Sequence, residues 1–204
     1  FSSTEKPDFL PGQYADLHLF NVMNDPRGAS RTFSFTSLPN EPLASFVLKH
    51  FEKQSPYKQA LQSLQKGDKA KLDNSMGDLV LPKSASIPLV FVAGGIGIAS
   101  FVGMLKQLLM NQEQLQIYFY YQLRDKEEKI YSELLNSYKF ERKDIVINPE
   151  QVTTEKIKAN TPPDSLIYIS GSQTFVENLQ NKLEASGTPR AQIIFDYYDG
   201  YDEL

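Results

Sequence analysis

Arg31, Phe33 and Ser34 lie in one short stretch, Arg-Thr-Phe-Ser, and they offer three kinds of contact. A guanidinium presents a fixed fork of donors suited to a diphosphate, an aromatic ring presents a stacking face, and a hydroxyl bonds a ring nitrogen. In a straight strand Arg31 and Phe33 face one way and Ser34 the other, so a single ligand meets all three only across a bend or bulge. Without the bend, the stretch is an amphipathic strand carrying a surface arginine.

A second stretch carries different chemistry. Leu89 to Leu105 reads LVFVAGGIGIASFVGML. The apolar run Leu89 to Val92 follows Pro88 and predicts a short buried strand, and the spacing of Ile98, Phe101, Val102 and Leu105 predicts a helix. Between them Gly94, Gly95 and Gly97 permit positive φ or a close approach to a ligand. Free N–H groups at the helix start, backed by its dipole, attract phosphate. The letters depart from the dinucleotide fingerprint, because Ser100 stands where its third glycine belongs. A buried strand with a glycine corner is the alternative.

Composition removes several other chemistries. The net charge of −4, a pI near 5.3 and the lack of any Lys/Arg run argue against a nucleic-acid surface. With no cysteine there is no disulfide, thiolate metal site or cysteine-ligated iron–sulfur cluster, so electron chemistry needs an organic cofactor. The two histidines, His18 and His50, read as strand residues, and no metal site is expected. No apolar run approaches the roughly 20 residues of a membrane helix, and no signal peptide opens the chain. Phe1-Ser2-Ser3 reads as the tail of a strand, with residues expected upstream.

The positioning elements follow two grammars. Tyr14–Phe20 alternates Leu17 and Leu19 with Asp16 and His18, Arg31–Ser37 alternates Phe33 and Phe35 with polar residues, and Leu43–Phe51 and Gly77–Pro82 read as further strands. Short strands between Gly, Pro and Asn turns predict a small antiparallel barrel over 1–85, with one helical turn or two at Gln59–Leu64. After the linker Lys83–Pro88, strands Leu89–Val92, Leu115–Tyr121, Asp144–Ile147, Leu166–Ile169 and Gln192–Tyr197 intersperse with helices Ser100–Met110, Lys129–Tyr138 and Thr174–Ser186. That pattern predicts a parallel α/β domain over 86–204, with Gly187 and Pro189 stopping the last helix.

These motifs, in this order, resemble the ferredoxin-NADP reductase superfamily. Its flavin-binding barrel carries Arg-x-Tyr-Ser, and its Rossmann-like second domain carries Gly-Gly-x-Gly-Ile-Thr-Pro. Pro11-Gly-Gln-Tyr14, Lys66-Gly-Asp68, Gly77-Asp-Leu79, Gly94 to Ile98 and Asp196 to Tyr201 are similar to family positions too. The resemblance implies a β-barrel FAD domain lacking its first strand, followed by an NAD(P)-binding α/β domain. It implies that Arg31 binds the FAD diphosphate beside Thr32, that Phe33 packs on the flavin, and that Ser34 bonds near flavin N5. Lys49 and Ser55 correspond to the next flavin contacts, although Ser55-Pro56-Tyr57 equally fits an ordinary helix start. Gly94, Gly95, Ile96 and Gly97 would receive the nicotinamide cofactor's phosphates. Ser170-Gly171-Ser172 stands where the family commonly has Cys-Gly-Pro, and Tyr198 lies in the closing aromatic segment.

Phe33 replaces the family's Tyr and has no hydroxyl to donate. Ala99-Ser100 replaces Thr-Pro, and Ser170 keeps a cysteine's size without its thiol. Glu150, in Asn148-Pro-Glu-Gln151, would repel a 2′-phosphate and favours NADH, while Arg124 favours NADPH. The implied activity is hydride transfer from nicotinamide C4 to flavin N5, with Ser34 and Ser170 at the reacting centre. Electrons would then pass to an acceptor protein or a fused upstream redox domain. The expected setting is cytoplasmic, with the chain itself off the membrane but tethered to a membrane domain upstream. The rival reading is a non-catalytic flavin- or nucleotide-binding regulatory module, kept alive by Ala99, Ser100 and Ser170.

Overall fold

The computed structural model describes residues 7–49, 54–83, 87–113, 115–124, 131–147 and 150–198. Two sheets organise them. The first is antiparallel and three-stranded, in the order β2-β1-β3, with β1 Tyr14–Leu19, β2 Ser30–Ser34 and β3 Ala70–Leu72. Along β1, Ala15, Leu17 and Leu19 are buried while Tyr14, Asp16 and His18 are not, as strand alternation dictates. Helix α1, Pro56–Ser63, packs Tyr57 and Ala60 against Leu17 and Leu19.

The second sheet is parallel, with β4 Leu89–Gly94 at its centre, flanked by β5 Ile117–Leu123 and β6 Arg142–Ile147 on one side. Strands β7 Leu166–Ser172 and β8 Ile193–Tyr198 lie on the other. Two aspects of β4 explain its place. Leu89, Phe91 and Ala93 enter one apolar cluster with α2 (Ala99–Met110) and α3 (Ser132–Ser137), while Val90 and Val92 enter another with α4 (Thr154–Asn160) and α5 (Gln173–Ala185). A strand covered on both faces needs an unbroken apolar run, and all five of these side chains are fully buried. Phe101 of α2 stacks on Phe91 at 4.7 Å, and Phe119 meets both rings edge-on.

From β4 the chain winds outward to β5 and β6, then returns to β7 beside β4. The strand order therefore reverses between β4 and β7, and connections leave their C-terminal ends toward opposite faces. Helix α2 also reaches the first sheet's part of the molecule. A Cβ on Gly103 would meet Pro11 and the Phe35 carbonyl within 3.5 Å, Met104 packs on Gly12, and Lys106 pairs with Glu41 at 3.1 Å.

Several expected elements differ. Residues 43–49 form no strand; there the Ser45 carbonyl accepts from the Thr36 amide and hydroxyl, and the Ser45 amide donates to the Ser37 hydroxyl. Gly77–Pro82 is likewise not a strand; Met76 makes a single bridge to Tyr14, and the third strand is Ala70–Leu72. Helix α3 spans Ser132–Ser137 and is preceded by Tyr131 at a left-handed φ of 56°, while Lys129 and Ile130 lie outside the described residues. Helix α4 was not foreseen at all. Gly187, with φ of 91°, ends α5 as expected. His50 and Phe51 lie outside the described residues.

Candidate functional site

Arg31, Thr32, Phe33 and Ser34 of β2 line one cleft of about 610 Å³ together with Phe195 to Tyr198 of β8 and Tyr57 and Lys58 of α1. Because β2 is an edge strand of its sheet, side chains from both its faces border the same groove. The bend that a single ligand would otherwise require is replaced by that edge position.

Arg31 is held on all sides. One terminal nitrogen donates to Asp25 at 2.7 Å, the other donates to the carbonyls of Arg27, Gly28 and Ser30, and the guanidinium lies 4.9 Å from the Tyr57 ring centre. Its Nε is buried with no partner among the described residues. Asp25, 1% exposed at its side chain, also accepts from the amides of Arg27 and Tyr57 at 2.9 and 3.0 Å. Burial opposes its charge, but the Tyr57 and Arg27 amides and the Arg31 guanidinium outweigh burial and hold its carboxyl below the usual range. Arg27 and Lys58 line the cleft as well. Burial first, and then repulsion from Arg27, Arg31 and Lys49, pulls the Lys58 ammonium below its ordinary value. Arg27, Arg31 and Lys58 are the cations of the cleft, and Asp16 and Asp196 line it as well.

At the other end of the cleft four hydroxyls meet. Ser34 Oγ lies 2.6 Å from Tyr198 Oη and 3.1 Å from Ser100 Oγ; Ser100 Oγ lies 3.1 Å from Ser170 Oγ and from Tyr198 Oη. One belongs to the antiparallel sheet and three to the α/β part, so this cluster joins Ser34, Ser170 and Tyr198 across the two sheets. Ser100, which stands where the family has Pro, is at its middle.

The glycines of the turn differ in their surroundings. Residues Gly95–Ile98 form a 3-10 turn before α2, and only Gly95 has positive φ, at 52°, with open space around its missing side chain. A Cβ at Gly97 would sit 2.2 Å from the Ser170 carbonyl oxygen, and Cβ atoms at Gly94 and Gly171 would strike the Phe175 ring at 2.8 and 2.7 Å. Packing thus accounts for Gly94, Gly97 and Gly171, and Gly95 alone faces free space. Phe175 lies against both strands where their order reverses.

Other expected residues sit apart from the cleft. The Ser55 hydroxyl caps α1 by accepting from the Lys58 amide, and Ser172 caps α5 by accepting from the Phe175 amide. Lys49 is not among the cleft-lining residues, although its carbonyl accepts from Lys58 Nζ at 3.4 Å. Ile96 lies in the 3-10 turn, and Arg124 and Glu150 are exposed at the ends of β5 and β6. Asn148 and Pro149 lie outside the described residues. Sequence reasoning missed Asp25, Arg27, Tyr57 and Lys58. The Asn24–Gly28 turn was legible, but nothing in it signals that Asp25 reaches a helix 32 residues away. Among the described residues no group of acidic residues and histidines is placed to hold a metal ion.

Residues 88–197 match the family model described as the ferric reductase NAD binding domain. The reductase component of propane 2-monooxygenase from Rhodococcus jostii (strain RHA1) is 25% identical over 213 residues, covering 94% of this chain and 56% of that protein. A flavohemoglobin from Malassezia yamatoensis, solved with bound FAD and heme, superposes with a TM-score of 0.76 at 17% identity, over 97% of this chain and 54% of that one. Ferredoxin-NADP+ reductase from Plasmodium falciparum superposes at 0.74 and 18% identity, over 94% of this chain and 84% of that one. The chain spans about half the length of the curated relatives it matches.

Proposed function

The chain belongs to the ferric reductase NAD-binding domain family, within the ferredoxin-NADP reductase type of fold, and from that membership we propose that it carries hydride from NADH to FAD and electrons onward to an acceptor. The observation that carries the proposal is the shared cleft, in which Arg31 to Ser34 and Phe195 to Tyr198 border one space.

The residues suit FAD. A volume of about 610 Å³ lies inside the range of roughly 300–1,000 Å³ typical of small-molecule sites. Arg27, Arg31 and Lys58 would hold the diphosphate, with the buried, unpartnered Nε of Arg31 as a ready donor. Phe33 and Tyr198 offer ring faces, and Ser34 offers a hydroxyl at the end that meets the α/β part. The flavin, when bound, supplies a hydride acceptor that can release electrons singly. The protein's residues bind, orient and exclude water. Gly95 is the turn residue open to a nicotinamide nucleotide's phosphate, and Ser170 borders the hydroxyl cluster from the second sheet.

We assign residues 1–85 to the flavin-binding part and 86–204 to the nucleotide-binding part. Glu150 favours NADH over NADPH. The acceptor is a separate protein or a fused redox domain, and the relative from Rhodococcus jostii, a reductase component, supports that reading. No helix among the described residues is long and apolar enough to cross a membrane.

Purified protein loaded with FAD should lose its visible flavin absorption on anaerobic mixing with NADH, and do so more slowly with NADPH. Nucleotide binding with no bleaching would support the regulatory module instead.

A further inference from the structure

We infer that Ser100 is a positioning residue that turns the Ser34 hydroxyl proton into the cleft, an inference that rests on the flavin reading above. The argument is a proton count. Four hydroxyls make four mutual contacts, Ser34 with Ser100, Ser34 with Tyr198, Ser100 with Tyr198, and Ser100 with Ser170. Each hydroxyl carries one proton and two lone pairs. Four contacts need four protons, so each hydroxyl donates once within the cluster. Ser170 touches only Ser100 there, and therefore donates to it. The remaining three hydroxyls must donate head to tail around a ring.

Ser100 has its whole capacity used within the cluster: it accepts twice and donates once. It is also fully buried, as is Ser170, so neither exchanges its partners with water. Suppose a ligand atom that accepts hydrogen bonds takes the place of Tyr198 at Ser34. Ser100 still accepts from Ser170, and from Tyr198 where that contact persists, which leaves its own proton for Ser34. Ser34, now accepting from Ser100, has its proton free for the ligand. The chain of donation then runs Ser170 to Ser100 to Ser34 to ligand. Nothing in this arrangement depends on Ser100 touching the ligand. Its position at the start of α2, against β7 and opposite β2, is what lets one hydroxyl serve both sheets.

The test uses the full chain loaded with FAD. Ser100→Ala deletes only an oxygen at a helix position where alanine is well tolerated. Losing one orienting hydrogen bond should slow anaerobic flavin reduction by NADH by about three- to tenfold, with NADH affinity unchanged and the flavin's visible band altered as in Ser34→Ala. The double variant Ser34→Ala/Ser100→Ala should be no slower than Ser34→Ala alone, because Ser100 acts through Ser34. A rate in Ser100→Ala equal to the parent's, or fully additive losses in the double variant, overturns the inference. If Ser100→Ala yields no flavin-loaded protein, Ser100→Cys fills the same space with a weak donor, and an unchanged rate there overturns it equally. A parent protein that holds no FAD, or is not reduced by NADH, instead removes the flavin reading itself.

Discussion

Asp25 shows how much of a cleft rests on a residue that does not line it. Its carboxylate ties the turn before β2 to the first turn of α1 and holds the arginine between them. Asp25→Asn keeps the shape and removes the charge, leaving Arg31 largely buried without its counter-ion, and should cost about 3 kcal/mol of stability. The pH dependence follows from the sign of the shift. A carboxyl held below its ordinary value in the folded state contributes stability that is complete at neutral pH and is lost as pH falls through the folded value. Melting temperatures between about pH 7 and pH 3 should therefore fall more steeply in the parent than in Asp25→Asn. Parallel acid limbs would show that Asp25 contributes nothing through its charge.

The β4-turn-α2 unit separates two uses of glycine that look identical in sequence. At Gly97 a Cβ meets backbone atoms of Ser170 and Gly171, which cannot move aside, so Gly97→Ala should cost about 3 kcal/mol or more. At Gly95 the space is open and only the left-handed φ resists, so Gly95→Ala should cost about 1 kcal/mol. Urea midpoints order the two, and the reverse order would mean that the turn is not seated on β7. The unit itself was legible because an apolar run ending in glycine and restarting at helical spacing has few solutions. What the glycines are for was not, since that depends on Phe175 and Ser170, more than 70 residues away. Helix α4 was invisible for a related reason. Thr154–Asn160 is short, with only Ile157 and Thr154 buried, too few positions to show a period. Residues 43–49 have the letters of a strand, yet Ser45 bonds Thr36 and Ser37, and letters do not report which neighbour a segment meets.

Across the whole molecule the parallel sheet was readable from its buried strands, whereas the antiparallel part gave up only β1, β2 and the existence of α1. The difference is physical. Strands covered on both faces must be apolar throughout, while half-covered strands at a cleft carry the polar residues that the cleft needs. Ser34, Ser170 and Tyr198 were each named from motifs, yet their meeting through Ser100 follows from how α2 spans both parts. The walls of the cleft include four tyrosines, Tyr14, Tyr57, Tyr197 and Tyr198, in a protein with eleven tyrosines and no tryptophan. Ultraviolet emission from this chain is therefore phenolic, and a coloured guest between those walls drains its excitation. Filling the cleft should dim the protein's own glow, and Arg31→Ala should blunt that dimming at any given dose of FAD.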